Sequence, residues 1–80
     1  MMANYEIIQR NYKDNNITDY LKMIIPETNI EILEIDTCDI TKIYDSILHL
    51  KLLKTIIIKN CPEFSESFIL KQNGYIVELY

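Results

Sequence analysis

Hydrophobic and polar residues alternate in the segment LEIDTCDIT, which begins at Leu33. Leu33 and Ile35 alternate with Glu34 and Asp36, and this period of two predicts a strand with one buried face. Cys38 follows, between two aspartates. Taken alone, this cysteine is a candidate metal ligand or activated thiol. The alternative is that it marks one position of a repeated element.

The same pattern recurs 23 residues later in the chain, and we call this spacing the repeat interval. The segment IEILEIDTC (Ile30–Cys38) aligns with LKTIIIKNC (Leu53–Cys61), and every apolar position of the pattern that they share is apolar in both. The same shift gives a weaker copy at IIQRNYKDN, where Arg10 takes an apolar position, and a short one at IVELY. We therefore divide a single domain, 1–80, into a degenerate unit 5–29, repeats 30–52 and 53–75, and a truncated terminal strand 76–80.

The shared pattern L-x-x-L-x-L-x-x-N/C-x-I resembles that of the leucine-rich-repeat family, over nearly the whole chain. The resemblance implies an α/β fold: a short, curved solenoid with a parallel sheet of three to four strands and helical return segments. Apolar residues at helical spacing support such return segments. In the first two units these residues are Ile17, Tyr20, Leu21 and Ile24, then Ile40, Ile43, Ile47 and Leu50.

The repeat also gives the candidate chemical residues a structural interpretation. Cys38 and Cys61 are predicted to be buried at the turn after each strand, where Asn15 stands one unit earlier. His49, the single histidine, is predicted to be exposed or half-packed, because no nucleophile or orienting carboxylate stands near it in the sequence. We therefore expect no catalytic residue, no metal and no cofactor, and we expect that the protein is not an enzyme.

The strand residues that point away from the core are the predicted binding surface. At a shift of 23 they form three cross-strand rows: Gln9, Ile32, Thr55 and Glu78; Asn11, Glu34, Ile57 and Tyr80; and Lys13, Asp36 and Lys59. An aliphatic and aromatic centre with a charged border is typical of a protein-contact surface, although an ordinary solvated sheet face is the alternative. The predicted partner-binding residues are Ile32, Glu34, Asp36, Thr55, Ile57 and Lys59 on the concave face and Glu78 and Tyr80 at the edge.

The two ends of the repeat array raise separate questions. The N-terminal segment is either a modified leading strand or a capping helix, because Tyr5, Ile8 and Tyr12 also fit one helical face. The C-terminal segment IVELY is predicted to be an apolar edge strand without a cap. The expected partner is therefore another protein chain, or a second copy that pairs with this edge.

Composition excludes several classes of function. A net charge of −4, with only eight Lys and Arg residues scattered along 80, argues against nucleic-acid binding. The chain has neither a secretory signal pattern nor an apolar run of membrane-spanning length, and we expect an intracellular protein with reduced thiols. The favoured function is a non-catalytic protein–protein interaction module, a small subunit or adaptor of a larger assembly. The alternatives are a free inhibitor or effector and a substrate-recognition adaptor of the ubiquitin-ligase type.

Overall fold

The computed structural model describes residues 5–9, 20–21 and 29–80, and Gln9 by its backbone. The elements in chain order are β1 (Tyr5–Gln9), β2 (Ile32–Asp36), α1 (Tyr44–Ile47), β3 (Thr55–Lys59), α2 (Ser67–Gln72) and β4 (Ile76–Leu79). The strands form one parallel sheet in the order β1-β2-β3-β4. The described residues therefore form a small α/β domain, which confirms the predicted class and the parallel sheet.

The two central strands pair as the repeat predicts. Ile32 lies opposite Thr55 and Asp36 lies opposite Lys59, so β2 and β3 are related by the repeat interval. Leu33 and Ile56, which are partners in this register, are both fully buried. The β-branched side chains that dominate both segments suit a pleated, half-buried surface.

The core lies on one side of the sheet. The inward side chains of the strands join the apolar residues of the return segments, and the predicted positions Leu21, Ile40, Ile43, Ile47 and Leu50 are all buried there. Leu70 of α2 completes this cluster. Ile17 and Ile24, which were also predicted to belong to it, lie outside the described residues.

Equivalent backbone features recur at the repeat interval. Thr37 and Asn60, each directly after a strand, have positive φ angles of 56° and 53°. The amide of Thr37 donates to the carbonyl of Lys59 (2.9 Å), and the amide of Asn60 donates to that of Tyr80 (3.3 Å). Left-handed geometry is uncommon outside glycine and turns the chain sharply, so β2 and β3 end at the same kind of turn. The helices also begin at equivalent positions of the two units, Tyr44 and Ser67.

The outer strands depart from the repeat interval. Tyr5 lies opposite Ile32, which is a longer shift than that between the central strands, and Ile76 lies opposite Thr55, which is a shorter one. The predicted rows are therefore wrong at both edges: Gln9 pairs with Asp36, and Glu78 pairs with Ile57. The physical reason is that the register of hydrogen-bonded strands follows the length of the segment that connects them. The segments that connect the outer strands to β2 and β3 differ in length from the one that connects β2 to β3.

The N-terminal segment is a strand over Tyr5–Gln9, so the strand alternative is correct there and the capping helix is not. Ile8 of this strand is buried, while Glu6 also points inward and accepts a hydrogen bond from the hydroxyl of Tyr20. An inward-pointing charge is a common feature of edge strands, because it opposes pairing with further chains. The predicted positions Arg10, Asn11, Tyr12, Lys13 and Asn15 lie outside the described residues.

Candidate functional site

The side of the sheet opposite the core, which we call the open face, consists of alternate residues of the four strands. The structure places all eight predicted partner-binding residues on it. Glu34 is buried, Glu78 and Tyr80 are exposed, and the half-buried residues between them are Ile32, Asp36, Thr55, Ile57 and Lys59. Tyr80 follows β4, and its amide extends the pairing by donating to the carbonyl of Ile58 (2.8 Å).

The corrected register brings three further residues onto the open face. Tyr5, Ile7 and Ile76 are 46%, 50% and 58% exposed, and they add apolar surface at both edges. They were missed because the repeat interval was extended to the outer strands. The period of two within IVELY is a signal that could have identified Ile76, since it places that residue on the same side as Glu78.

Glu34, at the centre of the open face, is only 7% exposed, whereas the sequence predicted an exposed side chain. The hydroxyl of Tyr5 donates a hydrogen bond to its carboxylate, and the Nζ atom of Lys59 lies 3.4 Å from Oε2. A carboxylate leaves water at a cost that such partners offset. Glu34 is therefore held by side chains from both neighbouring strands, and it is a fixed part of the surface.

Lys59 connects this carboxylate to the C-terminal aromatic ring. Its Nζ atom lies 5.7 Å from the centre of the Tyr80 ring, and the hydroxyl of Tyr80 donates to Oε1 of Glu78 (2.7 Å). The hydrogen bond to Glu34 raises the pKa of Tyr5, and the one to Glu78 raises the pKa of Tyr80. In both cases the neutral phenol donates to an anion, and ionisation would replace that bond with repulsion.

The carboxylate of Asp36 forms hydrogen bonds with both left-handed turns, which follow β2 and β3. Its Oδ1 atom accepts hydrogen bonds from Oγ1 of Thr37 (2.9 Å) and from Nδ2 of Asn60 (3.1 Å). Lys59 lies opposite Asp36, as the predicted row has it, and its ammonium group forms an ion pair with Glu34 on the diagonal. A long lysine side chain reaches diagonal neighbours on a sheet easily.

The two cysteines lie at the turns, as the repeat predicts. Cys38 and Cys61 are free thiols, 3% and 8% exposed, and the amide of Cys38 donates to Sγ of Cys61 (3.4 Å). Each thiol also faces the backbone carbonyl two residues earlier, that of Asp36 (3.5 Å) or Lys59 (3.2 Å). Burial raises the pKa of the Cys61 thiol. The prediction of buried turn positions is confirmed.

Both thiols should therefore react slowly in the native protein. At pH 8 we expect a disulfide reagent such as DTNB to modify Cys38 and Cys61 at least tenfold more slowly than the urea-unfolded chain, since both side chains are buried away from the reagent and burial also disfavours the reactive thiolate of Cys61. Absorbance of the released thiolate gives both rates. Equal rates in native and unfolded protein would contradict the buried placement.

His49 also has a structural contact. Its ring is half-buried, and Nε2 donates a hydrogen bond to the backbone carbonyl of Leu21 (3.0 Å). The imidazole thus connects the turn after α1 to the preceding return segment. Within the described ranges, no three His, Cys, Asp or Glu side chains are grouped so that they could hold a metal ion.

At the C-terminal edge of the sheet, which β4 forms, a core-facing side chain is exposed although its neighbour on β3 is buried. Leu79 lies in register with Ile58, but Leu79 is 55% exposed and Ile58 is 2% exposed. A cavity of about 460 Å³ lies beside Leu79, between Cys61 and Phe64. The amides of Ile76 and Tyr80 donate to the carbonyls of Lys54 and Ile58, so the amides of the alternate residues Val77 and Leu79 point to the free side, where no described strand pairs with them.

No protein-family model, curated protein or solved structure matches this chain significantly. In the part of the chain that the structure describes, no helix has the length and apolar character needed to cross a membrane.

Proposed function

We propose that this chain is a non-catalytic protein–protein interaction module of the leucine-rich-repeat type. It acts as a small subunit or adaptor that docks into a larger assembly, through the open face and the C-terminal edge of the sheet. The observation that carries this proposal is the open face itself, which surrounds the half-buried Ile57 with exposed apolar, aromatic and charged side chains.

Repeated geometry supports the leucine-rich-repeat assignment. Strand starts, left-handed turns, buried cysteines and helix starts all recur at the repeat interval between the two central units. Each unit buries its apolar side chains against the next one, as the units of a solenoid do. The outer strands keep the parallel pairing and change the interval, in the way that terminal repeats commonly deviate.

The side chains that could carry chemistry support a non-catalytic role. Both thiols face backbone carbonyls, and the imidazole of His49 donates to one. The open face, in contrast, has the composition of a contact surface. It combines the apolar side chains of Ile57 and Ile76 with the aromatic rings of Tyr5 and Tyr80 and a charged border. Aromatic and aliphatic side chains with a polar rim are typical of surfaces that bind proteins.

Substitution of Ile57 tests the open face. Ile57→Asp should abolish binding of the native partner, since a carboxylate would replace an apolar side chain at the centre of the contact, where the few hot-spot residues of an interface each contribute about 2 kcal/mol or more. The partner is captured by affinity purification from the source cells and identified by mass spectrometry, and the affinity is then measured by calorimetry.

Two controls make the result interpretable. Ile57→Ala leaves the charge of the face unchanged and should weaken binding without abolishing it, while circular dichroism verifies that both variants are folded. Lys71→Ala, in the exposed part of α2, should bind like the unmodified chain. Unchanged affinity in folded Ile57→Asp would place the contact on the helical side or at the ends.

The C-terminal edge is the second proposed contact. Exposed Leu79 and the free side of β4 fit an added strand, either from another protein or from a second copy of this chain. Sedimentation at high concentration separates the two occupants. Self-association favours a second copy, and a 9.5 kDa monomer leaves another protein as the occupant.

A further inference from the structure

The open face is acidic as well as apolar. Among the described residues it carries three carboxylates, Glu34, Asp36 and Glu78, and one ammonium group, Lys59, so its formal charge is −2. The whole chain is also acidic, with a net charge of −4. A surface of one sign favours a partner of the other sign and speeds encounter with it.

The face already holds one cation in a defined arrangement. The ammonium group of Lys59 lies 3.4 Å from the carboxylate of Glu34 and 5.7 Å from the centre of the Tyr80 ring. A carboxylate and an aromatic ring together are a favourable environment for a positive charge. Because this pair is internally neutral, Glu78 beside it adds negative charge at the exposed edge.

Glu78 and Tyr80 have the chemistry to receive a further cation. Both are exposed, Tyr80 at 73%, and the hydroxyl of Tyr80 donates to Oε1 of Glu78, so the ring and the carboxylate lie side by side. A planar guanidinium can pair with a carboxylate through two parallel hydrogen bonds and stack on an aromatic ring, whereas an ammonium group acts as a compact point charge without this planar geometry. Ile57 and Ile76 provide apolar surface next to them.

We infer that the partner of the open face presents an arginine flanked by apolar side chains, with the guanidinium at Glu78 and Tyr80 and the apolar groups over Ile57 and Ile76. This inference rests on the proposed function of the open face and specifies the chemistry of the partner. Steering by the acidic face makes the association salt-dependent, because exposed charges are screened within about 8 Å at physiological ionic strength.

The test uses the full ¹⁵N-labelled chain and two short synthetic peptides. One alternates arginine and leucine, and the other replaces each arginine with citrulline, which has the same shape and no charge. The arginine peptide should shift the amide signals of Ile57, Lys59, Glu78 and Tyr80 and bind about tenfold more tightly than the citrulline peptide. Its affinity should also fall as salt is added.

Matched variants locate the charge effect. Glu78→Gln should weaken the arginine peptide about three- to tenfold and leave the citrulline peptide unchanged, because only the charged hydrogen bonds are lost. Glu63→Gln removes an exposed carboxylate from the turn after β3, outside the open face, and should change neither affinity. Equal affinity for the two peptides, or equal losses in the two variants, would overturn the inference.

The outcome also separates this inference from the function on which it rests. If both peptides bind equally and Ile57→Ala weakens both, the open face is a contact surface without a preference for arginine, and only the inference fails. If neither peptide shifts a signal of the open face and the native partner binds Ile57→Asp normally, the proposed function fails as well.

Discussion

Replacing Ile56 with alanine should lower the free energy of unfolding by about 3–4 kcal/mol. Ile56 is fully buried in β3 and belongs to the main core cluster, so truncation removes buried methyl groups and leaves a cavity. A domain of 80 residues is stable by only about 4–12 kcal/mol, so the loss is a large fraction of the total. Urea denaturation followed by circular dichroism measures it.

The neighbouring isoleucine is a matched control. Ile57→Ala makes the same chemical change one residue later, on the open face, and should cost about 1 kcal/mol. If Ile56→Ala does not fold, Ile56→Val, with an expected loss of about 1 kcal/mol, tests the same position more mildly. Similar losses at Ile56 and Ile57 would contradict the assignment of the two faces.

This pair of residues shows where sequence reasoning was sufficient. The run of three isoleucines in TIIIK has no alternation, so the segment by itself does not say which side chains are buried. Its alignment with ILEID does, because Ile56 takes the place of Leu33 and Ile57 that of Glu34. A repeat transfers the pattern of a clear strand to an ambiguous one, and the buried apolar positions of both central strands were predicted in this way.

The same reasoning failed at the edges for a physical reason. Pairing register depends on the number of residues in the segment that connects two strands. The first unit matches the repeat pattern poorly, so the sequence does not show that its connection to β2 is longer. At the other edge, the turn at Gly74, with a φ of 92°, brings the chain into β4 earlier than the repeat interval predicts. Consequently Tyr5, Ile7 and Ile76 could not be assigned to the open face by extending one interval.

The burial of Glu34 also lay beyond prediction from the pattern. Alternation assigns a side chain to one face of the sheet, but the exposure of that side chain depends on which neighbouring side chains cover it. Here the phenol of Tyr5 comes from β1, whose register was not known, and the ammonium group of Lys59 reaches diagonally from β3. The composition of the face could therefore be predicted largely from the sequence, whereas its internal ion pair could not.

Removing the carboxylate of Glu66 should destabilise the protein by about 1–2 kcal/mol, the usual cost of losing a helix cap, and loosen one helix in particular. Oε1 of Glu66 accepts hydrogen bonds from the amides of Ile43 (2.5 Å) and Tyr44 (2.8 Å), at the start of α1. The residue that precedes α1, Ile43, has no side chain that can cap these amides. Glu66, its equivalent one repeat later, caps them instead, and its negative charge also suits the positive end of a helix. Glu66→Ala should therefore lower the stability in urea.

Hydrogen exchange distinguishes this role from a general loss of stability. In Glu66→Ala the amides of Ile43 and Tyr44 should exchange much faster than in the unmodified chain, beyond what the drop in global stability explains, because they lose their acceptor. Glu66→Gln keeps an oxygen acceptor without the charge and should give an intermediate result, while Glu63→Ala, in the exposed turn before it, should change neither measurement. Equal acceleration at every core amide would mean that Glu66 acts on the fold as a whole. Selective acceleration would establish that one repeat completes the helix of the unit before it.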